Sequence, residues 1–454
     1  MAAALLILPQ AAFAQTDDAN TVDAHTGATR VEEAPSQTAI AKQDDGENYD
    51  KFRVGGYGEM LASFLNYGKN RFYGGLDNSD TRRTIAIPRF VIAADYKFTP
   101  KWNLGFEVEF EAGGIGMEQE LEKTENLEYE TEMEAGGEVA LEQFHITRFV
   151  TRSFNIRAGH QIVPIGLTNS HHEPIFFFGT SRPEGETTII PSTWHETGLG
   201  FFGEWGRGAA TFNYELQVVT GLNPDGFGRD NWVGGGKQGL FEVDCFTSPA
   251  YVGRINWDGI RGLRVGVSGY YCKDVTENAD KPYKYSSCGE SAVKIFSADA
   301  QYVGRAVTVR ANVITGDLEN AGKIGAVTLS NKSSYHHGAE RPVAKKALAY
   351  GVEVGANLKG IFYDGRRGPV FFPFARYEYY NPQQEPDEGK SVDIRCQVAK
   401  WTWGLNWFAL PNLVVKADYT TRHIGTDNPF KTTDYSPENE FSIGIAYVGW
   451  FFKK

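Results

Sequence analysis

Two pairs of adjacent histidines are the first residues in the sequence that could do chemistry, as metal ligands. The pairs are His171–His172 and His336–His337, and neutral imidazole is a frequent ligand of zinc and copper. Neighbouring residues of an extended strand point to opposite faces, so each pair requires further ligands from other segments. The sequence identifies no such set, and it therefore predicts no metal site and no cofactor.

Motifs for hydrolytic chemistry do not occur either. The chain contains neither Gly-x-Ser-x-Gly nor His-Glu-x-x-His, and no Ser, His and Asp residues share a recognisable motif. No basic stripe that would bind nucleic acid stands out. The chain is predicted not to be an enzyme, and a hydrolase assembled from loop residues is the alternative.

The elements that must position these side chains are predicted to be β-strands. The 454 residues include 51 Gly, 30 Phe, 22 Tyr and 9 Trp, although only 41% are hydrophobic. No apolar stretch reaches the roughly 18 residues of a transmembrane helix, and so many aromatic residues exclude a disordered chain. Apolar and polar residues alternate in segments of about ten residues, for example in 102–111, 307–313, 401–407 and 413–421.

The connections between these segments alternate between tight turns and long polar loops. This asymmetry is typical of a transmembrane β-barrel. A soluble β-sandwich is the alternative, but its core would have to hold Trp401, Trp403 and Trp407 from one short strand face. We therefore predict an all-β fold, a transmembrane antiparallel β-barrel of about sixteen strands in a bacterial outer membrane, with short periplasmic turns and long extracellular loops. The predicted strands are 52–65, 84–97, 102–113, 138–150, 154–164, 196–205, 209–221, 248–257, 262–272, 292–303, 305–316, 346–361, 367–380, 396–409, 412–423 and 440–452.

The chain divides into three predicted regions. Residues 1–14 have the short apolar run and the Ala12-Phe13-Ala14 cleavage pattern of a secretory signal peptide; a frayed apolar terminus is the alternative. Residues 15–50 contain nine acidic and two basic residues, and they are predicted to form a disordered acidic linker in the periplasm. Residues 51–454 are predicted to form the barrel, surrounded by outer-membrane lipid and lipopolysaccharide.

Several phrases resemble outer-membrane porins of the phosphate-selective O/P type, in the form common among Bacteroidetes-like bacteria. They are FRVGGYGE (52–59), RFVIAAD (89–95), LGFEVEFE (104–111), RAGHQIVPIG (157–166), HEP (172–174), RPE (182–184) and IPSTW (190–194). The resemblance covers the whole barrel. It implies sixteen strands, a homotrimer and a loop folded into the pore. The arginine ladder and lysine cluster on which phosphate selectivity depends in that family have no residue-by-residue match here.

The predicted lumen carries charges of both signs. Charged side chains should point inward, because an arginine facing lipid at the midplane costs roughly 2–4 kcal/mol. The predicted pore-lining residues are Arg89, Glu107, Glu109, Glu111, Arg157, Arg254, Arg264, Arg310, Arg376 and Asp418. This mixture favours passive diffusion of small hydrophilic solutes or ions, with a phosphate or anion preference implied by the resemblance. The alternative is a plugged barrel that acts as a surface receptor or assembly partner through its long loops.

Loop 165–195 is rich in proline and aromatic residues, which favours a packed plug over a solvated loop. Two positions remain open for it, inside the barrel or over its mouth. Its candidate constriction residues are His171, His172, Glu173, Arg182, Glu184 and Glu186.

Loop 115–136 carries eight glutamates and one lysine. It is predicted to be solvated and self-repelling, with a divalent-cation site or a lipopolysaccharide-linked cation bridge as the alternative. The four cysteines allow three disulfide connectivities. Cys272 and Cys288 flank one loop and are the predicted pair, which would leave Cys245 with Cys396.

Overall fold

The part of the chain that the computed structural model describes contains nineteen strands and three α-helices. Most of the strands show the predicted alternation of apolar and polar side chains. The described residues are 50–68, 80–111, 118–123, 129–134, 138–238, 243–331, 343–363, 369–428, 431, 433 and 437–454. The predicted signal peptide (1–14), all of the predicted linker (15–50) except Asp50, and His336–His337 lie outside them.

The strands follow the chain in order. Their bounds are β1 Phe52–Gly68, β2 Asp80–Ala86, β3 Arg89–Thr99, β4 Trp102–Glu111, β5 Glu118–Lys123, β6 Tyr129–Glu134, β7 Glu138–Thr151, β8 Phe154–Ile162, β9 His195–Trp205, β10 Phe212–Val219, β11 Ala250–Ile260, β12 Leu263–Cys272, β13 Val293–Val303, β14 Val307–Leu318, β15 Lys346–Ala356, β16 Val370–Glu385, β17 Val398–Leu410, β18 Leu413–Ile424 and β19 Glu438–Lys453. The helices are α1 Glu184–Ile189, α2 Ala321–Asn331 and α3 Leu358–Phe362.

Seventeen of these strands form one antiparallel sheet that closes on itself, because β1 pairs with β19 as well as with β2 and β3. β2 and β3 are two halves of one barrel strand, interrupted at Ile87 and Pro88, and they pair with successive halves of β1. Proline cannot donate the backbone hydrogen bond that the ladder requires there. The barrel therefore has sixteen strand positions, and the predicted fold is confirmed.

The two faces of the wall differ as the alternation predicts. On β3, Phe90 is 42% exposed on the outside while Arg89 is 2% exposed inside. On β17, Trp403 is 45% exposed and Thr402 is fully buried. The outer face is thus an apolar band suited to lipid. Among the described residues, no helix has the length and apolar character needed to cross a bilayer.

Short turns join the strands at one end, and the connection from β15 to β16 is the exception. The strand predicted to reach residue 361 ends at Ala356, because Asn357 caps helix α3. The Asn357 side-chain oxygen accepts a hydrogen bond from the Gly360 backbone N–H at 3.2 Å. Such a cap satisfies a donor at the start of the helix that would otherwise be unpaired.

At the opposite end, the long connections pack against one another. Trp194, Trp232, Tyr270 and Tyr285 belong to one buried apolar cluster, which also includes Ile324 of α2. Within the predicted acidic loop 115–136, β5 and β6 form a separate two-stranded hairpin.

Candidate functional site

The loop between β8 and β9, residues 163–194, lies inside the barrel and contacts the wall on several sides. Its first part is held by two arginines. Arg254 of β11 donates to the Gly166 carbonyl oxygen at 3.0 Å. Arg264 of β12 lies with Nη1 2.7 Å from His171 Nε2. The sequence left two positions open for this loop, inside the barrel or over its mouth, and in the structure the loop lies inside.

Two cations of the wall bind the next turn of the loop through its backbone. Arg89 of β3 donates to the His172 carbonyl oxygen. Lys416 of β18 donates to the carbonyl oxygens of Pro174 and Phe177, the second at 3.2 Å, and its ammonium lies 4.0 Å from the Phe177 ring centroid. These cations replace the water that the loop carbonyls would otherwise bind.

The tip of the loop uses its own N–H groups as well. The N–H groups of Gly179 and Thr180 donate to Asn406 Oδ1 at 3.1 Å and to Asp418 Oδ2 at 2.6 Å. Gly179 has φ +80°, a left-handed conformation that glycine adopts without steric cost. Arg376 of β16 donates to the carbonyl oxygens of Phe178 (3.2 Å) and Ser181 (2.9 Å). The tip is therefore bound as both donor and acceptor.

Glu184 anchors the start of α1 to strands β16 to β18. Its carboxylate accepts hydrogen bonds from the Tyr380 hydroxyl at 2.6 Å and from Lys400 Nζ at 3.1 Å, and it pairs with Arg422. Burial alone would raise the pKa of Glu184, but Arg422 and Lys400 outweigh it and hold the pKa below the usual 4.5. Glu184 is therefore ionised at neutral pH.

Glu186 folds the loop back on its own first part. Its carboxylate accepts from the N–H groups of Leu167 (3.2 Å) and Asn169 (2.6 Å) and from Asn312 Nδ2 of β14 (2.9 Å). Burial raises the pKa of Glu186 to about 7 despite these bonds. Gly166, at φ +82°, leaves the space that the carboxylate fills, since a Cβ there would lie 2.4 Å from Glu186 Oε1.

The other candidate constriction residues lie in the same loop. Arg182 donates to Thr193 Oγ1 at 2.8 Å, and burial, together with Arg89, lowers its pKa to about 10. Burial raises the pKa of the fully buried Glu173 to about 7. Burial first, and Arg264 second, lower the pKa of His171, so its imidazole is neutral.

The ten residues predicted to line the pore point to the inside, and most of their charge is paired there. Glu107 and Glu109 are buried beside the loop, whereas Glu111 at the end of β4 is exposed. The ion pairs of the predicted arginines with wall residues include Arg89–Glu59 (3.3 Å), Arg157–Glu215 (3.7 Å), Arg254–Asp299 (2.7 Å), Arg264–Asp299 (3.9 Å), Arg310–Glu353 (2.6 Å) and Arg376–Glu378 (3.1 Å).

Sequence reasoning missed three cations that hold the loop, Lys400, Lys416 and Arg422. Each occupies an inward position in the alternating pattern of β17 or β18. The alternation that selected Asp418 would therefore have found them.

A cavity lies between the loop and β14 to β16, where Arg310, Glu353 and Arg376 line it. Partly exposed charged side chains lie on both sides of the loop. They are Glu215 of β10 with 28%, Arg264 of β12 with 19% and Arg310 of β14 with 14%, and also Glu184 of the loop with 25% and Arg422 of β18 with 19%.

The predicted disulfide between Cys272 and Cys288 is not formed in the structure, and neither is the pairing of Cys245 with Cys396 that it would leave. Both residues are buried, but they pack in different surroundings. Cys272 Sγ lies 3.3 Å from the carbonyl oxygen and 3.7 Å from the hydroxyl of Ser248, whereas Cys288 lies at the end of a short 3-10 turn, with its N–H bonded to the Tyr285 carbonyl oxygen. Both residues belong to the same buried cluster, but their sulfurs are not bonded to each other.

No protein-family model matches the chain. An uncharacterized protein of Aquifex aeolicus (strain VF5) is 24% identical over 416 residues, which cover 88% of this chain and 79% of that protein. The anion-selective porin from Comamonas acidovorans is similar in structure, with a TM-score of 0.51 and 10% identity over 88% of this chain and 100% of that chain. OmpF of Salmonella typhi, in a complex with daunomycin, has a TM-score of 0.52 and 13% identity over 88% of this chain and 97% of that chain. These similarities show the fold, a closed antiparallel β-barrel of sixteen strand positions that is porin-like.

Proposed function

We propose that the chain is an outer-membrane porin in which the loop 163–194 narrows the passage for small hydrophilic solutes or ions. The observation that carries this proposal is the position of the loop, which polar wall residues hold from opposite sides of the lumen. A barrel of sixteen strands is wide enough for an aqueous channel, so the loop determines the size of what passes. No chemical step is required of any residue.

A modest preference for anions is the finer form of this proposal. Arg264 and Arg310 keep 19% and 14% exposure in the lumen, and the more exposed Glu215, with 28%, lies 3.7 Å from Arg157. Arg310 is paired with Glu353 at 2.6 Å, whereas Arg264 lies 3.9 Å from Asp299, so the positive charge of Arg264 is less neutralised by its partner. The name of the Comamonas porin, anion-selective, agrees with this preference but describes that protein. Phosphate selectivity and a homotrimer are further proposals, and both are implied by the family resemblance.

A plugged barrel that works through its outer loops is the second candidate. It is favoured by the small exposure of the lumen wall, where Arg376, Lys416 and Asp418 are 2 to 4% exposed. The long connections that surround the packed apolar cluster would then form the surface that binds a partner.

Single-channel recording in a planar bilayer distinguishes the two candidates. We expect a stable ohmic current from the full chain, and a larger current when residues 170–190 are replaced by a short Gly-Ser linker. Absence of current from well-folded native protein, with current appearing only after the replacement, would favour the plugged barrel. If the replacement leaves the native current unchanged, the loop does not limit the passage.

A further inference from the structure

A second cluster of polar side chains lies where the loop approaches strands β1, β4 and β7. Glu107 of β4, Glu142 of β7 and His172 of the loop are 3%, 1% and 0% exposed. One ligand atom from each lies within 4.8 Å of the others. Ligands about 2.1 Å from one ion can be about 4 Å apart, so a small movement of the side chains would bring all three to a common centre.

Glu142 reaches this centre through an irregularity of the wall. The register of β4 against β7 passes from Glu107–Gln143 to Val108–Leu141, so Glu142 has no partner on β4. A β-bulge of this kind redirects a side chain and is frequent beside functional sites. Glu142 and its neighbour Gln143 are consequently both buried on the inner side of the barrel.

The tautomer of His172 leaves a lone pair directed at the cluster. His172 Nδ1 lies 3.1 Å from the Asn169 carbonyl oxygen, which can only accept, so Nδ1 carries the proton. The Tyr57 hydroxyl lies 2.9 Å from Nε2 and 3.2 Å from Glu142 Oε2. A hydroxyl has one proton, so one of these two acceptors remains without a donor. Metal-binding histidines have this arrangement, with the other ring nitrogen fixed by a backbone carbonyl.

Two carboxylate oxygens in the cluster also lack a partner among the described residues. They are Oε1 of Glu107 and Oε1 of Glu142, while Glu107 Oε2 accepts from Gln143 Nε2 at 2.6 Å. The nearby Arg89 donates to Glu59 at 3.3 Å and to the His172 carbonyl oxygen, while its Nη1 lies 4.0 Å from Glu109 Oε1 and has no hydrogen-bond partner among the described residues. A buried carboxylate without a partner is costly, and a cation at the common centre would satisfy both oxygens.

We propose that Glu107, Glu142 and His172 bind a divalent transition-metal ion of the zinc class, which ties the loop to β4 and β7. One imidazole nitrogen with two carboxylates is a donor set that suits zinc and similar ions. His195 adds a further nitrogen beside the site, because its Nε2 lies 3.7 Å from Glu142 Oε1 and neither ring nitrogen has a hydrogen-bond partner among the described residues. This site does not depend on whether the lumen conducts.

Zinc binding to the full chain in detergent tests the proposal. The protein is stripped with EDTA, equilibrated with Zn²⁺ at neutral pH, desalted and measured for bound zinc by mass spectrometry. We expect one tightly held zinc per chain that His172→Asn and Glu142→Gln remove, with affinity lowered at least 10-fold. The matched controls are His171→Asn, whose ring contacts Arg264 instead, and Glu111→Gln on the same strand as Glu107. Both should retain the zinc.

The acidic segment 118–134 can add loosely held zinc, so the fraction that depends on His172 is the readout. Titration of the native chain with Co²⁺ needs no variant, and a visible absorption band that Zn²⁺ abolishes is the expected sign of a nitrogen and oxygen site. Zinc held equally by His171→Asn and His172→Asn would overturn the proposal. So would a native chain that retains no zinc and gives no cobalt band, in which case the cluster holds a shared proton.

Discussion

Replacement of Glu184 by glutamine should release the α1 end of the loop from the wall. The Glu184 carboxylate is bound by Lys400, Arg422 and Tyr380, and glutamine keeps the shape but removes the charge. Breaking a buried ion pair costs about 3–5 kcal/mol. Because the Glu184 side chain is 25% exposed, we take the lower limit of about 3 kcal/mol. At about 1.4 kcal/mol per factor of ten, the population with a released loop should rise roughly 150-fold.

Hydrogen exchange of the full chain in detergent measures this population. We expect backbone amides between residues 176 and 190 to lose roughly 150-fold of their protection, with little change in the strands. Asp95→Asn is the matched control, because it removes a carboxylate that pairs with Arg53 between β1 and β3. If Glu184→Gln protects the loop as well as Asp95→Asn does, the Glu184 ion pairs do not hold the loop and our reasoning is refuted.

Three further predictions concern the loop and the passage. Burial raises the pKa of Glu186 from 4.5 to about 7, so the docked loop binds this proton more tightly than the released loop. The free energy of docking should therefore weaken by up to about 3 kcal/mol as the pH rises from 4.5 to 7. Glu186→Gln should reduce the pH dependence of hydrogen exchange in the loop. In a salt gradient, Glu111→Gln should shift the reversal potential toward anion selectivity and Arg264→Gln toward cation selectivity, and a potential unchanged by both would mean that neither side chain lines the conducting path. Gly166→Ala should weaken loop docking by about 1–3 kcal/mol, since the new Cβ would contact Glu186. The control is Gly389→Ala, because Gly389 has a similar positive φ but its Cβ would have no atom within 4 Å. Equal loss of hydrogen-exchange protection in the two variants would exclude the contact with Glu186 as the cause.

The strands could be predicted from the sequence because their signal is local. Apolar and polar residues alternate along each strand, so that one set faces the outside and the other faces the lumen in every strand independently. The predicted 154–164 and 262–272 are thus close to the observed Phe154–Ile162 and Leu263–Cys272. Two local exceptions were missed. They are the helix that Asn357 begins and the bulge at Glu142, where a single residue departs from the period of its strand.

The docking of the loop could not be predicted, because its partners are distant in sequence. Arg376 and the Phe178 carbonyl oxygen are 198 residues apart, and Lys416 and the Pro174 carbonyl oxygen are 242 apart. Composition shows that the loop is apolar and rich in proline, which suits a packed segment in either position. Only closure of the barrel brings the cations of β16 to β18 against the backbone of the loop. The Cys272–Cys288 pairing was wrong, although both residues belong to one buried cluster.

The two sides of the lumen hold the loop by opposite means. On β16 to β18 the wall is cationic, and Arg376, Lys416 and Arg422 bind loop carbonyl oxygens and Glu184. On β4 and β7 the wall is acidic, and Glu107 and Glu142 keep oxygens that no described residue satisfies. The chain therefore supplies the partners for the first anchor itself, whereas the second requires a proton or a metal ion from outside. Because buried acceptors without a partner are costly, the stability of the loop at His172 depends on the solution around the protein, while its tip remains bound by the chain alone.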